Sequence, residues 1–239
     1  MTNIPEHLYK FRELKNTEDL ERIKDIIENG FYCCDFLNYN DMNEGVFSIN
    51  QKNINIKLED KLKYRICSFS GKGALNSQLM WGHYANAGMG IVIEVKLSGD
   101  AREHIKKVEY NNSRDNLNTI EEILTHKSKE WEYEHEFRYL LNTQTDIESN
   151  AESDIKDRVA SNNKVKIGKI IKIHFGTPYE NLQNYEEIKE RHTKLKKYHE
   201  LREKLKDFCK KRDIKCTYHM WTTTPPYSPT NYIKTGANT

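Results

Sequence analysis

Alternation of apolar and polar positions marks strands along this chain, and apolar residues spaced by three and four mark helices. His7 to Arg12 alternates and reads as a first strand. Leu20, Ile23, Ile26 and Ile27 then share one helical face. Asn16 is placed to cap that helix, Glu18 and Asp19 suit its positive end, and Gly30 suits its termination. Phe31 to Phe36 reads as a second strand, so the chain opens strand–helix–strand.

Asn40-Asp41-Met42-Asn43-Glu44-Gly45 is a turn signal, because Asn and Asp side chains bond their own backbone. Residues 48–62 are polar, with a short strand expected at Ile54 to Leu58. Tyr64 to Ser70 alternates as a strand. It leads through Gly71-Lys72-Gly73 to a short helix capped at Asn76, with Leu79, Met80 and His83 or Tyr84 turned inward. Ile91 to Val95 is apolar enough for a central strand. Ile105 to Tyr110 is another strand, and Asp115 to Lys127 a helix on Leu117, Ile120, Ile123 and Leu124.

Lys129 to Leu141 changes character midway. Its first half is charged. In its second half Phe137, Tyr139 and Leu141 lie on one strand face, with Arg138 and Leu140 on the other. Glu136 sits at the junction, where a carboxylate can be aimed and partly desolvated. A solvated acidic edge shared with Glu132 and Glu134 is the plainer alternative.

Residues 142–163 are Ser/Asn/Asp-rich and read as a mobile loop, and Lys164 to Phe175 as one long or two short strands. Residues 180–212 keep a stripe of Leu182, Tyr185, Ile188, Leu195, Tyr198, Leu205 and Phe208 without Gly or Pro. A single helix of about 30 residues there would reach about 45 Å. Cys216 to Trp221 is a last strand, and residues 222–239, with Pro225, Pro226 and Pro229, an extended tail. The expectation is one domain over 1–239, of α+β class. Its core would be a mixed or antiparallel split sheet with flanking helices and a long helix in its C-terminal half.

Composition adds few constraints. The charge of +2 is near balance and calls for neither nucleic acid nor membrane. No apolar run is long enough for a membrane span. Five Cys without a C-x-x-C pair suggest a reducing cytoplasm rather than a zinc knuckle. No G-x-G-x-x-G, Walker, G-x-S-x-G or H-E-x-x-H motif occurs. Gly71-x-Gly73 before a helix could face a phosphate, although a plain turn explains it as well. His83 lacks companions that would make a metal site. Trp81 and Tyr84 could stack on a flat ring or could be core.

Ordered motifs run from Leu8 to Arg138. Leu8-Tyr9-Lys10-Phe11-Arg12, Asn40 to Glu44, Cys67-Ser68-Phe69-Ser70, Met80-Trp81-Gly82-His83-Tyr84-Ala85, Gly90 to Val95, and Trp131 to Arg138 follow one another. Together they resemble a widespread bacterial family of uncharacterised domains over roughly residues 6–220. Met42 stands where that family has Pro, and the helix from Glu180 is longer than usual for it. The family carries no function of its own. The order of elements is also similar, more distantly, to ADP-ribosyltransferase toxins. They have a cation on the first strand, a polar or aromatic residue on a middle strand and a catalytic Glu on a later one.

That second resemblance implies an ADP-ribosyltransferase-like fold and an NAD-using transferase without a metal, in the role of a toxin or phage-defence effector. It implies Glu136 and Arg12 as catalytic residues, with Glu134 the first alternative to Glu136. Tyr9, Lys10, Ser68, Ser70, Trp81, His83 and Tyr84 would then contact NAD. The acceptor would be nucleic acid or protein. Two other readings stand beside it. One is a non-catalytic module binding protein or nucleic acid through Trp81, Tyr84 and the long helix. The other is a Mg²⁺-dependent nuclease using Asp41, Glu44, Glu132 and Glu136.

Overall fold

The computed structural model describes residues 4–39, 45–50, 52, 55–56, 58–143, 159–160, 163–180 and 184–219. The 40–44 turn and the tail expected at 222–239 lie outside them, as do most of the 142–163 loop and part of the strand expected at 54–58.

Twelve strands are present among the described residues: β1 (His7–Glu13), β2 (Phe31–Tyr32), β3 (Tyr64–Ser70), β4 (Gly90–Leu97), β5 (Ile105–Lys107), β6 (Glu109–Tyr110), β7 (His126–Lys127), β8 (Glu136–Asn142), β9 (Val159–Ala160), β10 (Lys164–Val165), β11 (Gly168–Gly176) and β12 (Lys215–His219). The α-helices are α1 (Thr17–Asn29), α2 (Leu58–Leu62), α3 (Gln78–Tyr84), α4 (Ile120–Leu124), α5 (Tyr185–Arg191) and α6 (Thr193–Lys210).

Seven strands form the main sheet in the order β12-β11-β4-β1-β3-β8-β5. Only the β11–β12 pair is parallel; the other neighbours are antiparallel. The α+β class and the mostly antiparallel sheet with flanking helices are therefore observed.

α1 forms as its residues dictate. The Asn16 side chain accepts from the Asp19 N–H at 2.8 Å, and Leu20, Ile23 and Ile26 are buried. Burial of each such side chain contributes about 1.5–3 kcal/mol. Gly30 ends the helix at φ 100°, where an added Cβ would meet the Val165 carbonyl oxygen at 2.5 Å. α1 and α6 cover one sheet face through Leu8, Ile93, Phe175, Leu195 and Tyr198. α3 covers Tyr9, Phe11 and Val92 on the other face.

Several boundaries differ from expectation. Residues 180–212 do not form one helix. His192, at φ −105° and ψ 99°, separates α5 from α6. Lys189 to Lys194 are all polar, so no apolar side chain pins that turn to the body. The bend lets Tyr185 meet His199 and Glu180 pair with Arg202 at 2.5 Å. Ser77, not Asn76, caps α3. Only residues 120–124 of the expected 115–127 helix are helical, and residues 105–110 split between two sheets. No helix among the described residues is long and apolar enough to cross a membrane.

Candidate functional site

The two sides of β1 are unlike. Toward β4 every residue from His7 to Glu13 has a partner. Toward β3 only Tyr9 pairs, with Ser70. The strands then part. The β3 edge that β1 gives up is satisfied by other groups. Cys34 exchanges both backbone bonds with Ile66, at 3.0 and 2.7 Å. The Lys10 ammonium donates to the Ser68 carbonyl at 2.5 Å. A cavity of about 310 Å³ fills the gap.

β1 lines it with Tyr9, Lys10, Phe11 and Arg12, and β3 with Ile66 to Ser70. Cys34 and Tyr39 lie to one side, and Tyr84, Lys127, Glu134 and Glu136 close another. Because the sheet is parted, side chains from both of its faces reach the gap.

Glu136 opens β8 after His135, which turns the chain at φ 46° and ψ 47°. Its backbone N–H donates to the Tyr110 hydroxyl at 2.7 Å. Its carboxylate accepts from Arg138 Nε at 2.9 Å and Nη2 at 3.1 Å, and Lys127 Nζ lies 3.5 Å from Oε2. Glu136 and Arg138 alternate onto one strand face, so this fork is a local product of the strand.

Glu134 shares Lys127, whose ammonium donates to it at 2.6 Å, and accepts from the Tyr84 hydroxyl at 2.5 Å. Burial would raise the Glu136 pKa, but the charges of Arg138 and Lys127, with the Ser68 hydroxyl, outweigh it and hold it at about 2. Glu134 moves the other way, pushed up by burial and by the neighbouring Glu136 charge. The two neighbouring carboxylates are thus pushed apart in proton affinity, Glu136 lower and Glu134 higher.

Opposite them stands Arg12. It is half-buried and makes no hydrogen bond or ion pair with any described residue. Burial opposes its charge, and that of Lys10. A guanidinium in a cavity wall, with no carboxylate against it among the described residues, is a ready site for an anion.

Of the sequence candidates, Glu136, Arg12, Tyr9, Lys10, Ser68, Ser70 and Tyr84 all line this cavity. Trp81 does not. It is 1 % exposed, its indole N–H donates to the Leu75 carbonyl at 2.8 Å, and its ring packs on Phe11 and His219. Its apolar bulk belongs to the core under α3, so it cannot stack on a ligand. His83 also lies outside the lining. It is exposed and bonds the Tyr133 hydroxyl at 3.0 Å.

Gly71 spends its N–H on the His135 carbonyl at 2.8 Å, as a turn does. Glu132 is exposed, and no group of three metal-ligating side chains is found among the described residues. Asp41 and Glu44 are outside them.

Lys127, Arg138, Tyr110 and Cys67 were not singled out for the site by the sequence. Arg138 carried a usable signal, since it stands two residues from Glu136 on the same face. Lys127 carried none, because it reaches the site through the two-residue strand β7.

No family model, curated protein or solved structure matches the chain.

Proposed function

We propose that the chain is an ADP-ribosyltransferase-like enzyme that uses NAD as substrate. The observation that carries this reading is Glu136 facing the same cavity as Arg12, which has no ion pair among the described residues. Cleaving the nicotinamide–ribose bond sends the bonding electrons to the pyridinium nitrogen and leaves an oxocarbenium-like ribose. Glu136 stabilises that charge and accepts from the ribose 2′-hydroxyl. Arg12, with Lys10 beside it, takes the pyrophosphate. Tyr84 and Tyr39 offer rings to the nicotinamide, the part assigned to Trp81 from the sequence. Glu134 takes the proton of the attacking acceptor. The cavity is at the small end for ligand sites, so it holds the nicotinamide riboside half while the rest of the dinucleotide extends outward.

Resemblance in the order of elements supports the same reading. A toxin or phage-defence role follows from that resemblance. The acceptor is a protein or a nucleic acid.

The test is nicotinamide release from NAD by the wild type and by Glu136→Gln, with circular dichroism to confirm folding. Loss of about 100-fold or more is expected, as for removal of a group that stabilises transition-state charge. Equal activity in both proteins, or no NAD binding by calorimetry, sinks the proposal. Salt-sensitive binding of nucleic acid that survives Glu136→Gln would favour the non-catalytic module instead.

A further inference from the structure

Three cysteines gather beside the cavity. Cys34 and Ile66 exchange both backbone bonds as an antiparallel pair. The next residues in that register, Cys33 and Cys67, therefore stand directly opposite each other as a non-hydrogen-bonded pair, the closer of the two kinds. Each thiol lies close enough to shift the other's pKa. Cys33 is fully buried and Cys67 nearly so, but Cys67 forms part of the cavity wall. Lys10 and Arg12 act on Cys67 with positive charge from β1, and Glu136 with negative charge from β8.

We propose that Cys33 and Cys67 form a thiol oxidation site, in which peroxide entering the cavity oxidises Cys67 and Cys33 resolves it to a disulfide. The Cys67 thiolate attacks one peroxide oxygen and breaks the O–O bond, giving a sulfenic acid and hydroxide. The Cys33 sulfur then attacks the Cys67 sulfur. An S–S bond forms, the sulfenic hydroxyl leaves, and the Cys33 proton ends on water. Two thiols lose two electrons, and one peroxide becomes two waters.

The surroundings assign the roles. Burial raises the Cys67 pKa, but the Cys33 S–H and the charges of Lys10 and Arg12 bring it below that of an ordinary thiol. Cys33 is fully buried and does not line the cavity, which leaves it the resolving partner. Cys34 is half-exposed and pushed up by burial, so exposure alone would choose it while thiolate character chooses Cys67. The site holds whether or not the cavity takes NAD.

The experiment treats the reduced full chain with near-stoichiometric hydrogen peroxide and maps peptides without reduction. A Cys33–Cys67 link should be the main product and should vanish with dithiothreitol. In Cys33→Ser, dimedone should trap a sulfenic acid on Cys67. Alkylation of Cys67 by iodoacetamide should reach half its maximal rate below the ~8.5 of a free thiol, and Lys10→Met should move that point upward. Oxidation of Cys34 or Cys216 ahead of Cys67 overturns the proposal. So does a Cys33→Ser protein that folds but gives no dimedone adduct. Should that variant fail to fold, the wild-type map decides alone.

Discussion

The two sides of β1 make a natural comparison, for each holds a buried carboxylate. On the closed β4 side, Glu94 accepts from His7 at 2.7 Å, His174 at 2.8 Å and Lys172 at 3.1 Å, with the Tyr9 hydroxyl at 3.4 Å. On the open β3 side, Glu136 has Arg138 and Lys127. Both carboxylates are held near a pKa of about 2 despite burial. Titration alone does not separate them. Open volume does, together with a cation that has no ion pair among the described residues. Glu94 lies where β1 and β4 pair along the whole of β1 and does not line the cavity, whereas Glu136 shares it with Arg12. A buried, strongly ionised carboxylate marks a network. It marks a site only where the surrounding structure leaves room and unmatched charge.

The comparison breaks most sharply at Arg138. It is 0 % exposed and forks Glu136 while donating to the Leu124 carbonyl at 2.5 Å. Arg138→Met leaves a buried charge uncompensated and should cost about 3–5 kcal/mol in urea unfolding.

Next is acid. The folded pKa of Glu94 lies below its ordinary 4.5, so its contribution is fully present above that value and lost as pH falls through about 2. The shift corresponds to about 3 kcal/mol. Glu136 has the same sign, so Glu94→Gln should remove part, not all, of the stability loss seen between pH 4.5 and 2. An unchanged acid profile would show that the closed side is not an ion network.

Arg12→Ala should weaken NAD or pyrophosphate binding by about 10-fold or more, the value of a charged hydrogen bond. Unfolding free energy should move by only about 0.5 kcal/mol, since no ion-pair partner among the described residues is stranded. A large stability loss would mean that Arg12 is structural after all. The smallest effect belongs to the exposed Glu18–Arg22 pair on α1. Arg22→Ala should cost about 0.3–0.5 kcal/mol and serves as the baseline for the other three.

Local signals carried much of this molecule. Asn16 and Gly30 bounded α1 because capping is a property of a few adjacent residues. The alternation of Phe137, Tyr139 and Leu141 located β8, and placed Glu136 at its first residue. What could not be read was pairing across distance. Nothing in His7 to Arg12 says that β1 pairs fully with β4 and once with β3, yet that asymmetry makes the cavity. Trp81 looked like a stacking ring because exposure is not written in a residue's type. The break at His192 escaped notice because the chain bends there without Gly or Pro, for want of apolar anchoring on either side.

Lys10 has a consequence beyond its charge. Continuing the Tyr9–Ser70 register would set Phe11 against Ser68 and Arg12 against Cys67, completing the sheet and erasing the gap. Ser68 instead gives its carbonyl to an ammonium, and Ile66 gives its backbone groups to Cys34. The cavity is thus kept open by rivals for one strand edge, like a zip whose next teeth are already engaged elsewhere. Lys10 and Cys34 hold the β3 groups that β1 would need in order to close it.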